Sequence, residues 1–268
     1  MKIIKSFKVL KKEINFSHNI GFVPTMGSLH KGHLSLINMA KKKCKKVLVS
    51  IFINPSQFND KKDYKNYPRE LGDDIMKLQK YSVDYLFLPT EREIYKNKIN
   101  RKIKIFKKDK ILCAKHRKGH FEGVLAVVNR LLLNIDSKKI FFGEKDFQQI
   151  FLIKKYLRKF KNKIIICKTV RNKKFLPLSS RNKLLSKISL SKAEKISKLL
   201  LDFKKNLLSK FSNIKLLSYY KRKIENLCDN LEYLEIRNKN NLSFKIKKNN
   251  FKIFIAYKIN KIRLIDNV

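Results

Sequence analysis

Short apolar runs alternate with helix-length amphipathic stretches over the first two thirds of the chain. Near-continuous apolar runs are typical of strands buried on both faces of a parallel sheet, and amphipathic stretches predict the helices that cover it. The predicted strands are 21–24, 46–53, 83–88, 139–142 and 163–167. Two of the predicted helices are 68–81 and 124–133. The pattern therefore predicts an α/β domain with a doubly wound parallel sheet.

The pattern changes after about residue 179, where helices are followed by strands. The predicted helices and strands of this part are 190–208, 214–228, 233–236 and 251–256. This order predicts a small α+β domain. Pro177 interrupts the chain just before the change, and a helix is expected to begin after Ser179 or Ser180. We therefore expect a sheet domain over residues 1–176 and a smaller domain over residues 177–268.

Length and cysteine content set further limits. A chain of 268 residues is long enough for a main domain and a smaller second one. Its four cysteines are far apart, with no CxxC pair and no spacing typical of a metal site or a disulfide framework. No apolar run approaches the roughly 20 residues that a membrane span needs, and the first five residues lack the continuous apolar segment of a signal peptide. We therefore expect a soluble, cytoplasmic protein with no membrane partner.

The formal net charge of +44 raises the alternative of a nucleic-acid-binding module, because fields of this sign attract polyanions. The lysines are nevertheless spread along the whole chain, and Ile, Asn and Phe are abundant while Gly, Pro and Trp are scarce. This pattern is typical of codon choice in an AT-rich genome. A nucleic-acid binder would also show aromatic stacking motifs or a basic face, and the sequence has neither. We therefore expect no nucleic-acid partner.

The richest chemistry follows the first predicted strand, in the segment Pro-Thr-Met-Gly-Ser-Leu-His-Lys-Gly-His over residues 24–33. Ligands bind at the carboxyl ends of parallel strands, and the helix that follows offers unpaired N–H groups to phosphate. His30 and His33 stand three residues apart and share one face of the first helical turn, while Gly32 permits close approach. A lone histidine here would suit a capping or packing role. Two histidines in an HxGH pattern indicate an enzyme that transfers nucleotidyl groups.

Five further blocks follow in order along the chain. They are Ser-Ile-Phe-Ile-Asn-Pro-Ser-Gln-Phe at 50–58, Tyr-Pro-Arg at 67–69, Gly-His-Phe-Glu-Gly-Val at 119–124, Phe-Gly-Glu-Lys-Asp-Phe-Gln-Gln at 142–149 and Leu-Ser-Ser-Arg-Asn at 178–182. Together with the HxGH segment, this ordered set closely resembles the pantothenate synthetase family. The resemblance extends from about residue 21 to residue 182 and returns at residues 263–267.

The resemblance implies which residues bind ATP. The family's ATP-binding positions match Met26, Gly27, Ser28, Leu29, His30, Lys31, Gly32, His33, Gly143, Glu144, Lys145, Asp146, Val170, Leu178, Ser179, Ser180 and Arg181. His33 matches the catalytic histidine, which is thought to act as a proton donor. His30 and Lys145 are expected to join it in catalysis by stabilising charge on the phosphates.

The resemblance also implies a pantoate site. Gln57 and Gln149 match the family's pantoate contacts, and Gln57 is also assigned to β-alanine. An amide both donates and accepts hydrogen bonds, which suits a substrate with a hydroxyl and a carboxylate. Asn54, Asp73 and Asp74 are further expected contacts to pantoate or to magnesium. The implied cofactors are ATP, which is a substrate, and Mg²⁺.

The implied reaction has two steps. Pantoate attacks ATP to form pantoyl adenylate and pyrophosphate, and β-alanine then displaces AMP to give pantothenate. The implied fold is the Rossmann-like domain of HIGH-type nucleotidyltransferases, with the C-terminal domain as a lid that keeps water from the adenylate. The resemblance further implies a homodimer.

Other enzyme classes share the HxGH pattern, namely cytidylyl- and adenylyl-transferases and class I aminoacyl-tRNA synthetases. Those classes would lack the joint presence of the blocks at 50–58 and 142–149. The two blocks therefore favour the pantothenate synthetase family.

Overall fold

The structure, a computed structural model, describes residues 1–16, 18–96, 103–209 and 215–268. These residues fall into two units, Met1–Lys168 and Thr169–Val268. The elements of the first unit are β1 Lys2–Ile4, α1 Phe7–Glu13, β2 Ile20–Thr25, α2 Lys31–Lys43, β3 Lys46–Ile51, α3 Lys61–Lys65, α4 Leu71–Lys80, β4 Tyr85–Phe87, α5 Glu91–Tyr95, α6 Cys113–His116, α7 His120–Asn134, β5 Lys139–Gly143, α8 Phe147–Tyr156 and β6 Ile164–Cys167. The 3₁₀ turns are Pro55–Gln57, Lys107–Asp109, Glu144–Asp146, Arg158–Lys163 and, in the second unit, Ser180–Leu184.

The first unit is organised by a parallel sheet with the strand order β1-β4-β3-β2-β5-β6. The chain runs from β2 outward through β3 and β4, and it then returns to add β5 and β6 on the other side of β2. Strand order therefore reverses between β2 and β5, which is where ligands bind in doubly wound sheets. The predicted α/β class is confirmed.

Burial explains why the central strands form. In β2 every residue except Pro24 is buried, and in β3 the four residues 47–50 are buried. Apolar side chains of α2, α4 and these strands form one core that includes Val23, Ile37 and Leu78. A strand that is apolar on both faces is stable only when both faces are covered.

Several element ends differ from the prediction. The strand predicted over 46–53 ends at Ile51 because Pro55 begins a 3₁₀ turn. The helix predicted over 124–133 begins earlier, at His120, after Gly119 with a φ of 79°. Strand β1 was not predicted because its apolar run is only two residues long, Ile3 and Ile4.

The second unit contains two helices followed by an antiparallel sheet. Its elements are α9 Lys187–Ser209, α10 Lys215–Glu225, β7 Asn230–Asn238, β8 Phe251–Ile259 and β9 Ile262–Asn267, with the sheet order β7-β8-β9. This is the predicted α+β arrangement, with β9 as an additional strand. The first residue of the helix predicted over 214–228, Ile214, lies outside the described residues.

The division between the units falls after Lys168, whereas the sequence suggested a boundary after residue 176. The intervening stretch belongs to the second unit for two reasons. Leu176 is buried in the core of that unit. Arg171 donates two hydrogen bonds, of 2.6 and 2.8 Å, to the carboxylate of Asp266 in β9. Within the described residues, no helix is both long and apolar enough to span a membrane.

Candidate active site

The residues between β2 and the first turn of α2, here called the histidine loop (26–33), hold two histidines against each other. Nδ1 of His30 accepts the N–H of Gly32 at 3.1 Å, and Nδ1 of His33 accepts the N–H of His30 at 3.4 Å. The two ring centroids are 4.1 Å apart. Because a neutral imidazole carries one proton, an accepting Nδ1 places that proton on Nε2. Both rings therefore offer an Nε2–H donor.

Asp74 of α4 fixes the backbone of the histidine loop. Its Oδ2 accepts the N–H of Ser28 at 2.8 Å, and its Oδ1 accepts the N–H of Leu29 at 2.6 Å. Gly27 and Ser28 both have positive φ values, 78° and 48°. A Cβ at Gly27 would lie 3.0 Å from Asp74 Oδ2, so the close approach of the carboxylate requires glycine. Burial raises the pKa of Asp74, and the two backbone hydrogen bonds oppose that rise.

Burial and two lysines from different elements set the electrostatic environment of His33. Burial, then Lys145 and Lys77, lower the pKa of His33 to about 4. The ring is therefore neutral at pH 7, so it acts there as a hydrogen-bond donor rather than as a cation. Lys77 Nζ also donates to the carbonyl of Leu29 at 2.8 Å, which ties it to the histidine loop. The two ammonium groups, which pair with Asp146 and Asp73, and the histidine ring are hydrogen-bond donors of the kind that phosphate oxygens accept from.

The loop after β5, here called the GEKD loop (143–146), supplies Lys145. It forms a 3₁₀ turn, and Lys145 Nζ lies 2.9 Å from Asp146 Oδ1. Because β2 and β5 are paired neighbours, the histidine loop and the GEKD loop leave the same edge of the sheet, as the sequence predicts.

The 3₁₀ segment after β3, here called the glutamine turn (54–57), lies on the other side of the histidine loop. Gln57 is 8 % exposed, and its Nε2 donates to the sulfur of Met26. Asn54 Oδ1 accepts hydrogen bonds from Ser56 Oγ at 2.9 Å and from Tyr95 OH at 2.7 Å. Asn54 Nδ2 donates to a backbone carbonyl of α7 at 3.1 Å. Asn54 therefore supports the turn that presents Gln57.

Helix α7 packs directly on the glutamine turn. A Cβ at Gly123 would meet the carbonyl oxygen of Ser56 and lie 2.7 Å from its carbonyl carbon. His120 Nδ1 donates to the carbonyl of Gln57 at 2.6 Å, and Arg117 donates to the same oxygen at 3.2 Å. Arg117 also donates to His120 Nε2 at 3.0 Å, which fixes the imidazole tautomer. The backbone of Gln57 is thus held by two side chains from one segment.

The two glutamines that begin α8 have different surroundings. Gln148 is 6 % exposed and bonds to the backbone of Ile111 and Cys113. Gln149 is half-buried, and its side chain makes no hydrogen bond within the described residues. The amide of Gln148 is therefore used within the protein, whereas that of Gln149 is not used within the described residues.

The expected ATP contacts of the second unit form a small cluster of their own. The N–H of Leu178 donates to the carbonyl of Val170 at 3.0 Å. Ser179 Oγ accepts the N–H of Arg181 at 3.3 Å and caps the 3₁₀ turn that begins at Ser180. The segment that matches the phosphate loop and the position that matches the adenine contact are therefore neighbours.

Magnesium was expected near Asp73 and Asp74. Backbone N–H groups occupy both oxygens of Asp74, and Asp73 pairs with Lys77 at 2.5 Å. Within the described residues, no group of three or more His, Cys, Asp or Glu side chains is arranged to hold a metal ion. The two carboxylates therefore do not form a magnesium cage of their own.

The sequence model of the pantoate-beta-alanine ligase family matches residues 2–268. This chain belongs to that family. The matched residues include the histidine loop, the glutamine turn and the GEKD loop. The chain is therefore a ligase.

Curated relatives of this family support the assignment over nearly the whole chain. The pantothenate synthetase of Francisella tularensis subsp. tularensis strain WY96-3418 is 42 % identical over 270 residues, covering 98 % of this chain and 94 % of the relative. The pantothenate synthetase of Francisella tularensis subsp. novicida strain U112 is 41 % identical with the same coverage.

Solved structures of the family share the fold. The pantothenate synthetase of Thermus thermophilus has a TM-score of 0.91 at 30 % identity, covering all of this chain and 99 % of that one. The pantoate-beta-alanine ligase of Francisella tularensis, complexed with "Beta-gamma ATP" and β-alanine, has a TM-score of 0.85 at 39 % identity, covering 100 % and 97 %.

Sequence reasoning missed several residues that contact the histidine loop, the glutamine turn or the segment beside them. They are Lys77, Tyr95, Arg117, His120, Gly123 and Gln148. The block at 119–124 was the available signal, but it gave no partner for His120. Asp74 was named as a substrate or metal contact, whereas its visible contacts are to the histidine loop.

Proposed function

We propose that this chain condenses (R)-pantoate with β-alanine at the expense of ATP, giving pantothenate, AMP and pyrophosphate through pantoyl adenylate. The observation that carries the proposal is the cluster at the β2–β5 crevice, where the ring of His30 packs against His33 and His33 lies near Lys145 and Lys77. The names of the family and its relatives specify the acid and the amine.

In the first step, a carboxylate oxygen of pantoate bonds to the α-phosphorus of ATP, supplied as its magnesium complex. The bond from that phosphorus to the β-phosphate bridging oxygen breaks, and pyrophosphate leaves with the electron pair. Two anions must meet, so the phosphate charge needs compensation. His33 and His30 donate hydrogen bonds from Nε2, and Lys145 and Lys77 supply positive charge.

Pantoate is oriented from the glutamine side. Gln57 and Gln149 hold its hydroxyl and carboxylate groups through their amides. The support for Gln57 is its burial and its contact with Met26 of the histidine loop. The support for Gln149 is an amide without an internal partner in the described residues, one turn beyond the GEKD loop.

In the second step, the unprotonated amine of β-alanine attacks the acyl carbon of the adenylate. The acyl C–O bond breaks, AMP leaves with that oxygen, and the nitrogen loses a proton to solvent. Gln57 also contacts β-alanine in this proposal. Val170 and residues 178–181 contact ATP and help exclude water, with the hydrogen bond between Leu178 and Val170 as support.

The finer parts of the proposal concern assembly and location. We include a homodimer and a cytoplasmic location, both implied by the family. Light scattering during size-exclusion chromatography tests the assembly. A mass of twice the chain's 31.9 kDa supports the dimer, and a mass of one chain contradicts it.

The reaction is tested with purified protein, pantoate, β-alanine and Mg-ATP, with products identified by mass spectrometry. Pantothenate and AMP are expected in equal amounts. Omission of β-alanine should leave exchange of labelled pyrophosphate into ATP that depends on pantoate. ADP in place of AMP, or exchange without pantoate, would contradict the proposal.

A further inference from the structure

A strained turn at Leu112 directly precedes α6 and the residues that hold Gln57. Leu112 has φ 50° and ψ −129°, and the N–H of Ala114 donates to the carbonyl of Ile111 at 2.9 Å. These angles are those of the first central position in a type II′ turn, which glycine dominates. Leu112 is 1 % exposed, so its side chain is packed inside the protein. An L-residue with a branched side chain is held here against its backbone preference.

Gln148 bridges the two peptide groups on either side of Leu112. Its Nε2 donates to the carbonyl of Ile111 at 2.7 Å, and its Oε1 accepts the N–H of Cys113 at 3.0 Å. One amide therefore satisfies both partners across the strained residue. Because Gln148 is almost fully buried, water is a poor substitute for either bond.

From Leu112 the chain continues directly into the residues that contact the glutamine turn. Helix α6 follows Leu112 directly, and the N–H of Arg117 donates to the carbonyl of Cys113 at 2.8 Å. Arg117 and His120 then donate to the carbonyl of Gln57. A rotation of the peptide groups at Leu112 would move both donors away from Gln57.

We infer that Gln148 is a positioning residue for the acid substrate: by clamping the strained turn at Leu112, it fixes Arg117 and His120 on the backbone of Gln57. This inference rests on the proposed function, in which Gln57 contacts pantoate. The histidine loop is held separately by Asp74. Loss of the clamp therefore affects pantoate and leaves ATP binding largely intact.

The test compares Gln148→Leu, which keeps a similar volume and removes both hydrogen bonds, with the exposed control Gln79→Leu. We expect Gln148→Leu to raise the KM for pantoate about tenfold while the KM for ATP changes less than about twofold. The control should match the wild type. Hydrogen exchange at the Cys113 amide should become faster in Gln148→Leu only.

A second variant, Gln148→Glu, separates positioning from a loss of stability. A protonated glutamic acid can donate to Ile111 and accept from Cys113, whereas a carboxylate faces the Ile111 carbonyl with like charge. The ratio of variant to wild-type KM for pantoate should therefore fall toward one as the pH falls through the pKa of the introduced carboxyl group. A purely structural role would not restore the KM in this way.

Leu112→Gly in the Gln148→Leu background gives a third readout, since glycine adopts these angles without a clamp. The pantoate KM should recover at least about threefold although the Tm falls further, because a buried leucine is lost.

Three results would overturn the clamp: equal KM changes for pantoate and ATP, a pantoate KM that worsens in step with the Tm, or unchanged exchange at Cys113. A wild-type protein that makes no pantothenate would instead remove the proposed function, and the pantoate effect with it. Hydrogen exchange at the Cys113 amide would still show whether Gln148 clamps the turn, independently of activity.

Discussion

The histidine loop and the glutamine turn leave adjacent strands, β2 and β3, yet different chemistry holds each in place. The carboxylate of Asp74 holds the histidine loop by two backbone hydrogen bonds. The amide of Asn54 and the side chains of His120 and Arg117 hold the glutamine turn, together with the close approach of Gly123. The loop proposed for a polyanion is thus held by a carboxylate that accepts from its backbone N–H groups, whereas the turn proposed for a small acid is held largely by donors to its backbone carbonyl.

This difference gives one edge of the sheet two separately supported places, one proposed for ATP and one proposed for pantoate. On the histidine side, burial and the ammonium groups of Lys145 and Lys77 lower the pKa of His33. The glutamine turn offers amides that distinguish a hydroxyl from a carboxylate by geometry. A substitution on one side should therefore raise the KM for one substrate, and the KM for the other substrate serves as the internal control.

The greatest loss of activity should come from the histidine side. His33→Ala should slow pantoate-dependent pyrophosphate exchange by about 10² to 10⁴, because a positioned donor to the reacting phosphate is lost. The exposed residue His18 provides the matched control, His18→Ala, which should exchange at the wild-type rate. Wild-type exchange in His33→Ala would remove the proposed role of this residue.

The support of the histidine loop should matter next. Asp74→Asn keeps the shape but replaces one oxygen by an amide nitrogen that faces a backbone N–H. We expect the ATP requirement to rise about 10- to 100-fold, since a charge-assisted buried hydrogen bond is lost. The KM for pantoate should change much less, and steady-state kinetics with each substrate varied would measure both. Equal effects on the two substrates would show that the two supports are not independent.

The converse effect is expected on the glutamine side. Gln57→Ala or Gln149→Ala should raise the pantoate requirement by roughly 10-fold or more, because substrate groups lose buried partners, and should affect the ATP requirement far less. Gln79→Ala, on the exposed face of α4, is the control. A larger effect on ATP than on pantoate would contradict the assignment.

A milder effect concerns pH. The folded-state pKa of His33 is about 4, below its ordinary value of 6.5, so protonation favours the unfolded chain. The stability that this residue contributes is complete above pH 6.5 and is lost as the pH falls toward 4. NMR titration of the ring should give a pKa near 4 in the free protein and a higher one with a bound triphosphate. A pKa near 6.5 in the free protein would contradict the burial of this ring and the effect of the nearby lysines.

The sequence predicts the strands, the HxGH histidines and the neighbouring GEKD loop because these signals are local. A buried apolar run and a turn motif are each contained in about ten residues, and the sheet order then brings the loops together. The supports of the loops were not predictable in the same way. Asp74 acts 45 residues away on Leu29, and His120 acts 63 residues away on Gln57.

Three features were not predicted correctly because their sequence signals are short or absent: strand β1, the turn at Leu112 and the boundary between the units. Strand β1 has three residues and pairs only at the edge of the sheet. The turn at Leu112 has a leucine where its geometry favours glycine, so the sequence carries no turn signal there. The sequence predicts the boundary between the units just before Pro177, whereas the ion pair of Arg171 with Asp266 assigns the preceding residues to the second unit as well.

Activation of pantoate as its adenylate underlies every role proposed for this site, and oxygen labelling can detect it. Pantoate labelled with ¹⁸O in its carboxylate is incubated with β-alanine and Mg-ATP, and the AMP is examined by mass spectrometry. Attack of the carboxylate on the α-phosphorus leaves one carboxylate oxygen in the phosphate of AMP, so each AMP should carry one ¹⁸O for each pantothenate formed. Unlabelled AMP, or label in pyrophosphate, would contradict activation through the adenylate.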